Sequence, residues 1–291
     1  RSERGLRTAR TSAMKVEAID LPGAVAGRRV LGRLVLPEGS GPFPLVVCVH
    51  GYTISCEWGF WPELSARLAA RGIASVRSNA SGDGFAADLR TVEALDAVAA
   101  NTYGKELADL AGLRVALSRH AALDPRRAAL VGHSRGGAVA LLHARETGAY
   151  RAVALWAASD SVLRFNPSRK ALWRARGSID VTHFTLGTRV PLARDVLDEV
   201  ERDPERFDVL AAVRALSAPL LVVHGARDRA VGVRCAHALA RASTHPRTRL
   251  LVLDDAGHSF GAREPLRDVP QRLATLFDAT LDFLDAELGV G

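Results

Sequence analysis

Three side chains have the types and chain order that nucleophilic acyl chemistry requires: Ser134, then Asp228, then His258. The serine sits in Gly132-His133-Ser134-Arg135-Gly136, between the apolar run AALV and the helical pattern GGAVALL. A serine on a sharp strand-to-helix turn is held in strained backbone geometry, and glycines two residues either side are needed where a Cβ would collide. The pentad alone is a weak signal in a chain with 25 glycines; the strand before it and the helix after it do the discriminating. A serine hydroxyl is a poor nucleophile near neutral pH, so it needs a base, and the base needs an orienting carboxylate. LVVHGARDRAV (221–231) puts Asp228 in the loop after one strand, and DDAGHSFG (254–261) puts His258 after the next. Asp254 and Asp255 are rival acids, but they lie too close in sequence to His258 to approach its far ring nitrogen easily.

Attack by Ser134 would place negative charge on a carbonyl oxygen, which preorganised N–H donors must meet. The Arg135 amide, at a helix N-terminus, is one candidate, and its side chain is expected to matter little. The turn His50-Gly51-Tyr52 after the strand VVCVH should supply the other, with the Tyr52 amide favoured; Tyr52 could instead be only an aromatic wall. His133 is expected to pack, while His50 and His224 are expected to hydrogen-bond loop backbone. Cys56 reads as a buried inert thiol, since no base is spaced to activate it. Because the base must be neutral to act, activity is expected to decline in the mildly acidic range.

These residues need a scaffold that brings distant loops together. Short β-branched runs alternate with helical patterns, the signature of a mostly parallel, doubly wound α/β sheet with helices on both faces. Strands are expected near 14–21 and 29–36, forming an antiparallel N-terminal edge, and near 44–51, 73–78, 126–134, 151–159, 219–225 and 248–255. Helices are expected near 62–71, 104–120, 136–146, 231–242 and 265–287. Between about 160 and 215 the rhythm breaks into polar sequence carrying Trp and Arg, read as a cap insertion over the sheet. Trp173, Phe165, Phe184 and Leu186 there, with Trp58 and Trp61, are candidate pocket walls or simple packing.

At 291 residues and 48% hydrophobic content, the chain can bury one large core, so residues 14–291 read as a single domain with its cap. Residues 1–13 are basic and unpatterned before Met14, the one methionine, and read as a disordered or non-native extension. No stretch approaches 18 apolar residues and no signal-peptide pattern opens the chain, so a cytoplasmic protein is the default. The formal charge of +7 comes mostly from arginines scattered among acids, with no basic stripe, so neither nucleic acid nor membrane is expected as a partner. Three cysteines form neither a metal spacing nor an even disulfide set.

On VVCVHGYT, ASVRSNASGDG, LVGHSRGGAVAL, LLVVHGARDRAV and DDAGHSFG, the sequence resembles the α/β-hydrolase superfamily, especially its dienelactone-hydrolase-like and feruloyl (cinnamoyl) esterase-like branch, from Pro44 to Leu284. That resemblance implies catalytic roles for Ser134, Asp228 and His258, oxyanion amides at Tyr52 and Arg135, and no cofactor or metal. Relatives often carry aromatic residues and an aspartate where this chain has Ser78-Asn79-Ala80, and the cap resembles them least. The expectation is a serine hydrolase of carboxylesterase type, acting on small to medium acyl or aryl esters as a monomer or homodimer. The alternatives are a peptidase or amidase on the same scaffold, and a binding protein that has lost catalysis.

Overall fold

The computed structural model describes residues 14–290, so the reading of residues 1–13 lies outside the described residues. The chain opens with β1 (Lys15–Pro22) and β2 (Arg29–Leu36), then β3 (Phe43–Val49), α1 (Phe60–Ala70) and β4 (Ala74–Asn79). Next come α2 (Leu95–Ala99), α3 (Tyr103–Leu117), β5 (Leu123–His133), α4 (Arg135–Thr147) and β6 (Ala152–Trp156). An insertion follows: α5 (Pro167–Arg176), β7 (Ser178–His183), β8 (Thr188–Ala193), α6 (Asp195–Arg202) and α7 (Val209–Arg214). β9 (Leu220–Gly225), α8 (Arg234–Ala242), β10 (Arg249–Leu253) and α9 (Gln271–Leu288) close the chain.

Eight strands form one sheet in the order β1-β2-β4-β3-β5-β6-β9-β10. β2 runs antiparallel to both β1 and β4, and every other pairing is parallel. The edge strand β1 alternates in exposure, while β6 and β9 are buried at every position, as a central parallel strand covered on both faces must be. Two buried clusters mark those faces. One gathers side chains of α3, α4, α7 and α8; the other gathers Trp61 and Leu64 of α1 with Phe277 and Leu284 of α9.

The chain leaves β3 for β4 on one side and later adds β5 on the other, a topological switch where loops at the strand carboxyl ends diverge and leave a crevice. The cap crosses that end. Its two-stranded antiparallel sheet, β7 with β8, was not anticipated as strands, although Ile179, Val181 and His183 alternate toward one face. Trp173 is fully buried, donates Nε1–H to the Leu192 carbonyl at 3.0 Å, and packs edge-on to Phe165 at 5.2 Å. It therefore locks α5 onto β8 and is packing, not a pocket wall.

Candidate active site

Ser134 lies at the β5–α4 junction with φ 55° and ψ −121°, a left-handed conformation that costs a non-glycine residue roughly 1–3 kcal/mol. The flanking glycines make the turn possible. A Cβ on Gly136 would lie 2.2 Å from the His50 carbonyl oxygen, and one on Gly132 would lie 2.6 Å from that of Gly136. Backbone bonds fix the turn from both sides: the Ser134 amide donates to the Trp156 carbonyl at 2.9 Å, and the Gly137 amide to the Ser134 carbonyl at 3.1 Å.

The three expected side chains meet. His258 Nε2 is 3.0 Å from Ser134 Oγ, and His258 Nδ1 is 2.7 Å from Asp228 Oδ2. An ionised carboxylate can only accept, so Nδ1 carries the proton and Nε2 offers its lone pair to the serine hydroxyl. Asp228 is fully buried as a side chain, which alone would raise its pKa. Hydrogen bonds from His224 and His258, with the amides of Ala230 and Val231 at 2.8 and 2.9 Å on Oδ1, outweigh burial and hold the carboxyl well below the ordinary range. Asp254 and Asp255 form no contact with His258; Asp255 turns instead to Arg272.

The other histidines divide the labour around this line. His224 Nε2 donates to the Val231 carbonyl at 2.8 Å and stands 3.3 Å from Asp228 Oδ2, closing the acid loop. His133 packs as expected, against Phe60, and it also donates Nε2–H to the His258 backbone carbonyl at 3.1 Å. Burial, then the neighbouring His258, push its pKa down to about 3, so it stays a neutral brace. His50 contacts the Gly51 carbonyl through Nδ1 at 2.9 Å, but its Nε2 also faces Asp83 Oδ2 at 3.1 Å. Burial would lower the His50 pKa; pairing with Asp83 raises it on balance. From Asp83 the polar chain continues through Asn101 to Glu106 and ends at Arg135, the residue after Ser134.

Arg135 corrects the expectation that its side chain is immaterial. It is only 10% exposed, pairs with the 11%-exposed Glu106 at 2.7 Å, and lies 3.8 Å over the Tyr103 ring and 4.9 Å from the Tyr52 ring. The guanidinium thus ties α4 to α3 and to the turn at Tyr52. Neither the Tyr52 nor the Arg135 amide donates to an acceptor among the described residues. Sequence reasoning missed this network because its members are spread from residue 50 to residue 135. Helical spacing had marked only the apolar face of α3, and Glu106, beside Leu107, fell outside that pattern.

A cleft of about 440 Å³ opens over Ser134 and His258, with Tyr52, Phe165 and Phe184 among its walls. Leu186, Trp58 and Trp61 are absent from it. Trp61 stacks on Trp156 at 5.5 Å inside the core, and Trp58 packs edge-on against Phe60. The thiols are inert: burial pushes Cys48 up to about 12 and Cys56 higher still. No helix among the described residues is long and apolar enough to cross a membrane.

Among solved structures, the chain is similar to Est1E of Butyrivibrio proteoclasticus with ferulic acid bound. Identity is 17%, TM-score 0.72, and coverage 94% of this chain and 100% of that one. It is also similar to the esterase domain of a Rhodothermus marinus protein, at 23% identity and TM-score 0.64, covering 94% and 100%. Dienelactone hydrolase of Anabaena variabilis matches at 16% identity and TM-score 0.62, covering 94% and 98%. At these identities the likeness establishes the fold alone. No curated protein matches the sequence. Residues 46–275, however, match the alpha/beta hydrolase family directly, a span running from the strand before Tyr52 to past His258. The serine elbow, its histidine and the loops that bear them thus fall inside the matched region, and the chain belongs to the alpha/beta hydrolase family.

Proposed function

We propose that this protein is a serine hydrolase that cleaves carboxylic esters with small to medium acyl or aryl groups through an acyl-enzyme. The observation that carries the reading is the continuous line from Ser134 Oγ through His258 to the buried Asp228, at 3.0 and 2.7 Å. Ser134 Oγ attacks the ester carbonyl carbon while His258 Nε2 takes its proton. The carbonyl π electrons move onto oxygen, and the Tyr52 and Arg135 amides receive the resulting oxyanion. Collapse expels the alcohol, which takes the proton from His258. Water then attacks the acyl-enzyme, giving its proton to the same nitrogen, and collapse returns that proton to Ser134 Oγ. Asp228 stays ionised throughout, steadying the imidazolium that forms twice per turnover.

The largely apolar cleft suits an acyl or aryl group of modest size, and the ferulic acid held by Est1E is a ligand of that kind. Turnover of p-nitrophenyl acetate and butyrate by wild type and Ser134→Ala tests the reading. The variant is expected to lose about 10³-fold or more in kcat, with KM little changed. Wild-type turnover in the variant would remove Ser134 from the role of nucleophile. An aminoacyl-nitroanilide panel run alongside separates an esterase from a peptidase.

A further inference from the structure

Several cap arginines are neutralised locally: Arg174 pairs with Glu201, Arg194 with Asp198 and Arg206 with Glu146. Three others are not. Arg164, Arg169 and Arg189 all line the cleft that holds Ser134 and His258, and no aspartate or glutamate lines it. Each of the three guanidinium groups is held by a backbone carbonyl. Arg164 Nη1 donates to Ala230 at 2.9 Å, Arg169 Nη2 to Asp180 at 2.7 Å, and Arg189 Nη2 to the same Asp180 oxygen at 2.5 Å. Sharing one acceptor brings the Arg169 and Arg189 Nη2 atoms within about 5 Å of each other. Two like charges are thereby set side by side at the cleft with no chain carboxylate within 4.0 Å, among the described residues.

Local sequence builds this placement. Asn166 caps α5 by accepting the Arg169 amide at 2.8 Å, and Pro167 sets the first turn, which contains no acidic residue. Arg169 therefore stands at the positive end of a helix dipole, where a cation is disfavoured and an anion welcome. Its guanidinium is steered by the Phe165 ring, 5.1 Å away. Arg189 comes from β8 and reaches the same Asp180 carbonyl of β7. The fourth cleft arginine, Arg135, differs because Glu106 already neutralises it.

We infer that the substrate is an ester carrying a free carboxylate, the monoester of a dicarboxylic acid, whose charged end is held between Arg169 and Arg189 with Arg164 at its flank. The inference rests on the acyl-transfer reading of Ser134 and adds the charge of the group under the cap. Planar guanidinium forks match a carboxylate, and Leu163, Val181 and Leu192 line the path for an apolar spacer.

The test uses monomethyl esters of the diacids from succinic to suberic acid, each against its isosteric neutral counterpart in which the free carboxylate is a primary amide. Methanol release is followed at a pH where the acid is ionised. At the best chain length, wild type is expected to favour the charged ester by about tenfold or more in kcat/KM. That preference should shrink as sodium chloride is raised. It should fall toward unity in Arg169→Gln/Arg189→Gln and be partly restored in Arg189→Lys. The ratio within one variant is the readout, since misfolding lowers both rates together. Equal rates for charged and neutral esters in wild type, or a preference unchanged in the double variant, would overturn the inference while leaving the nucleophile assignment standing. Neutral-ester turnover persisting in Ser134→Ala would instead overturn the underlying reading and this one with it.

Discussion

The chemistry of this site turns on how few protons its residues exchange. Asp228 is kept ionised because His224, His258 and two amides satisfy a carboxylate that burial alone would protonate. A group whose native pKa is depressed contributes stability above its unfolded value and loses it only as pH falls through the native one. For Asp228 that loss lies below the ordinary carboxylate range, so the carboxylate does not titrate where the enzyme is active. His133, pushed down to about 3, is equally silent. The acid limb of log(kcat/KM) against pH is therefore expected to have a slope of about one, since neither Asp228 nor His133 adds an ionisation to it. A slope of two in a pH–rate profile on a neutral ester would place a second ionisation in the mechanism. That Ser134, Asp228 and His258 come together was legible in the sequence, because each follows an apolar strand and chain order limits the choice of acid. The second partners of His50 and His133 were not, since both are long-range contacts that leave no local pattern.

At the level of elements, strained backbone is concentrated in the loops of the site. Of five non-glycine residues with positive φ among those described, Thr53, Ser134, Ala157 and Phe260 stand on or beside strand-end loops that meet there. The cap is laced to one of them: the Phe184 amide donates to Thr53 Oγ1 at 3.0 Å, and Thr185 Oγ1 donates to the Thr53 carbonyl at 2.7 Å. Below, the Arg135–Glu106 pair binds α4 to α3. Removing one partner of a buried ion pair strands the other, so Arg135→Met is expected to cost about 3–5 kcal/mol in urea denaturation. Arg135→Met/Glu106→Leu should recover part of that loss, and a single variant as stable as wild type would show the pair to be incidental. Alternation of hydrophobic runs revealed the sheet strands and most flanking helices to within a few residues. It placed the start of α9 near 265, whereas the helix begins at Gln271, after Pro270, because each proline admits a helix start and the pattern did not choose between them. The short α2 and the β7–β8 ribbon escaped notice, being brief and largely polar.

Across the whole molecule, the cap is anchored rather than loosely laid on the sheet. Trp173, Ile179, Leu192 and Val196 belong to the same buried cluster as Leu141 and Val153 of the body. Trp173→Ala removes a full indole and its bond to the Leu192 carbonyl, so hydrogen exchange in residues 160–200 should accelerate while the peptides of β5 and β6 keep their protection. Uniform acceleration would mean that cap and sheet open as one unit. Sequence patterning was weakest in this cap, and the sheet beneath belongs to the alpha/beta hydrolase family at large. The proposed chemistry depends on a serine at the crevice that its histidine has made nucleophilic. A fluorophosphonate transfers its phosphonyl group to such an oxygen with loss of fluoride, and digestion at arginine then isolates residues 128–135. The adduct is expected on Ser134 of the native enzyme and is expected to disappear in His258→Ala; no adduct, or an adduct on any other residue, would contradict the account.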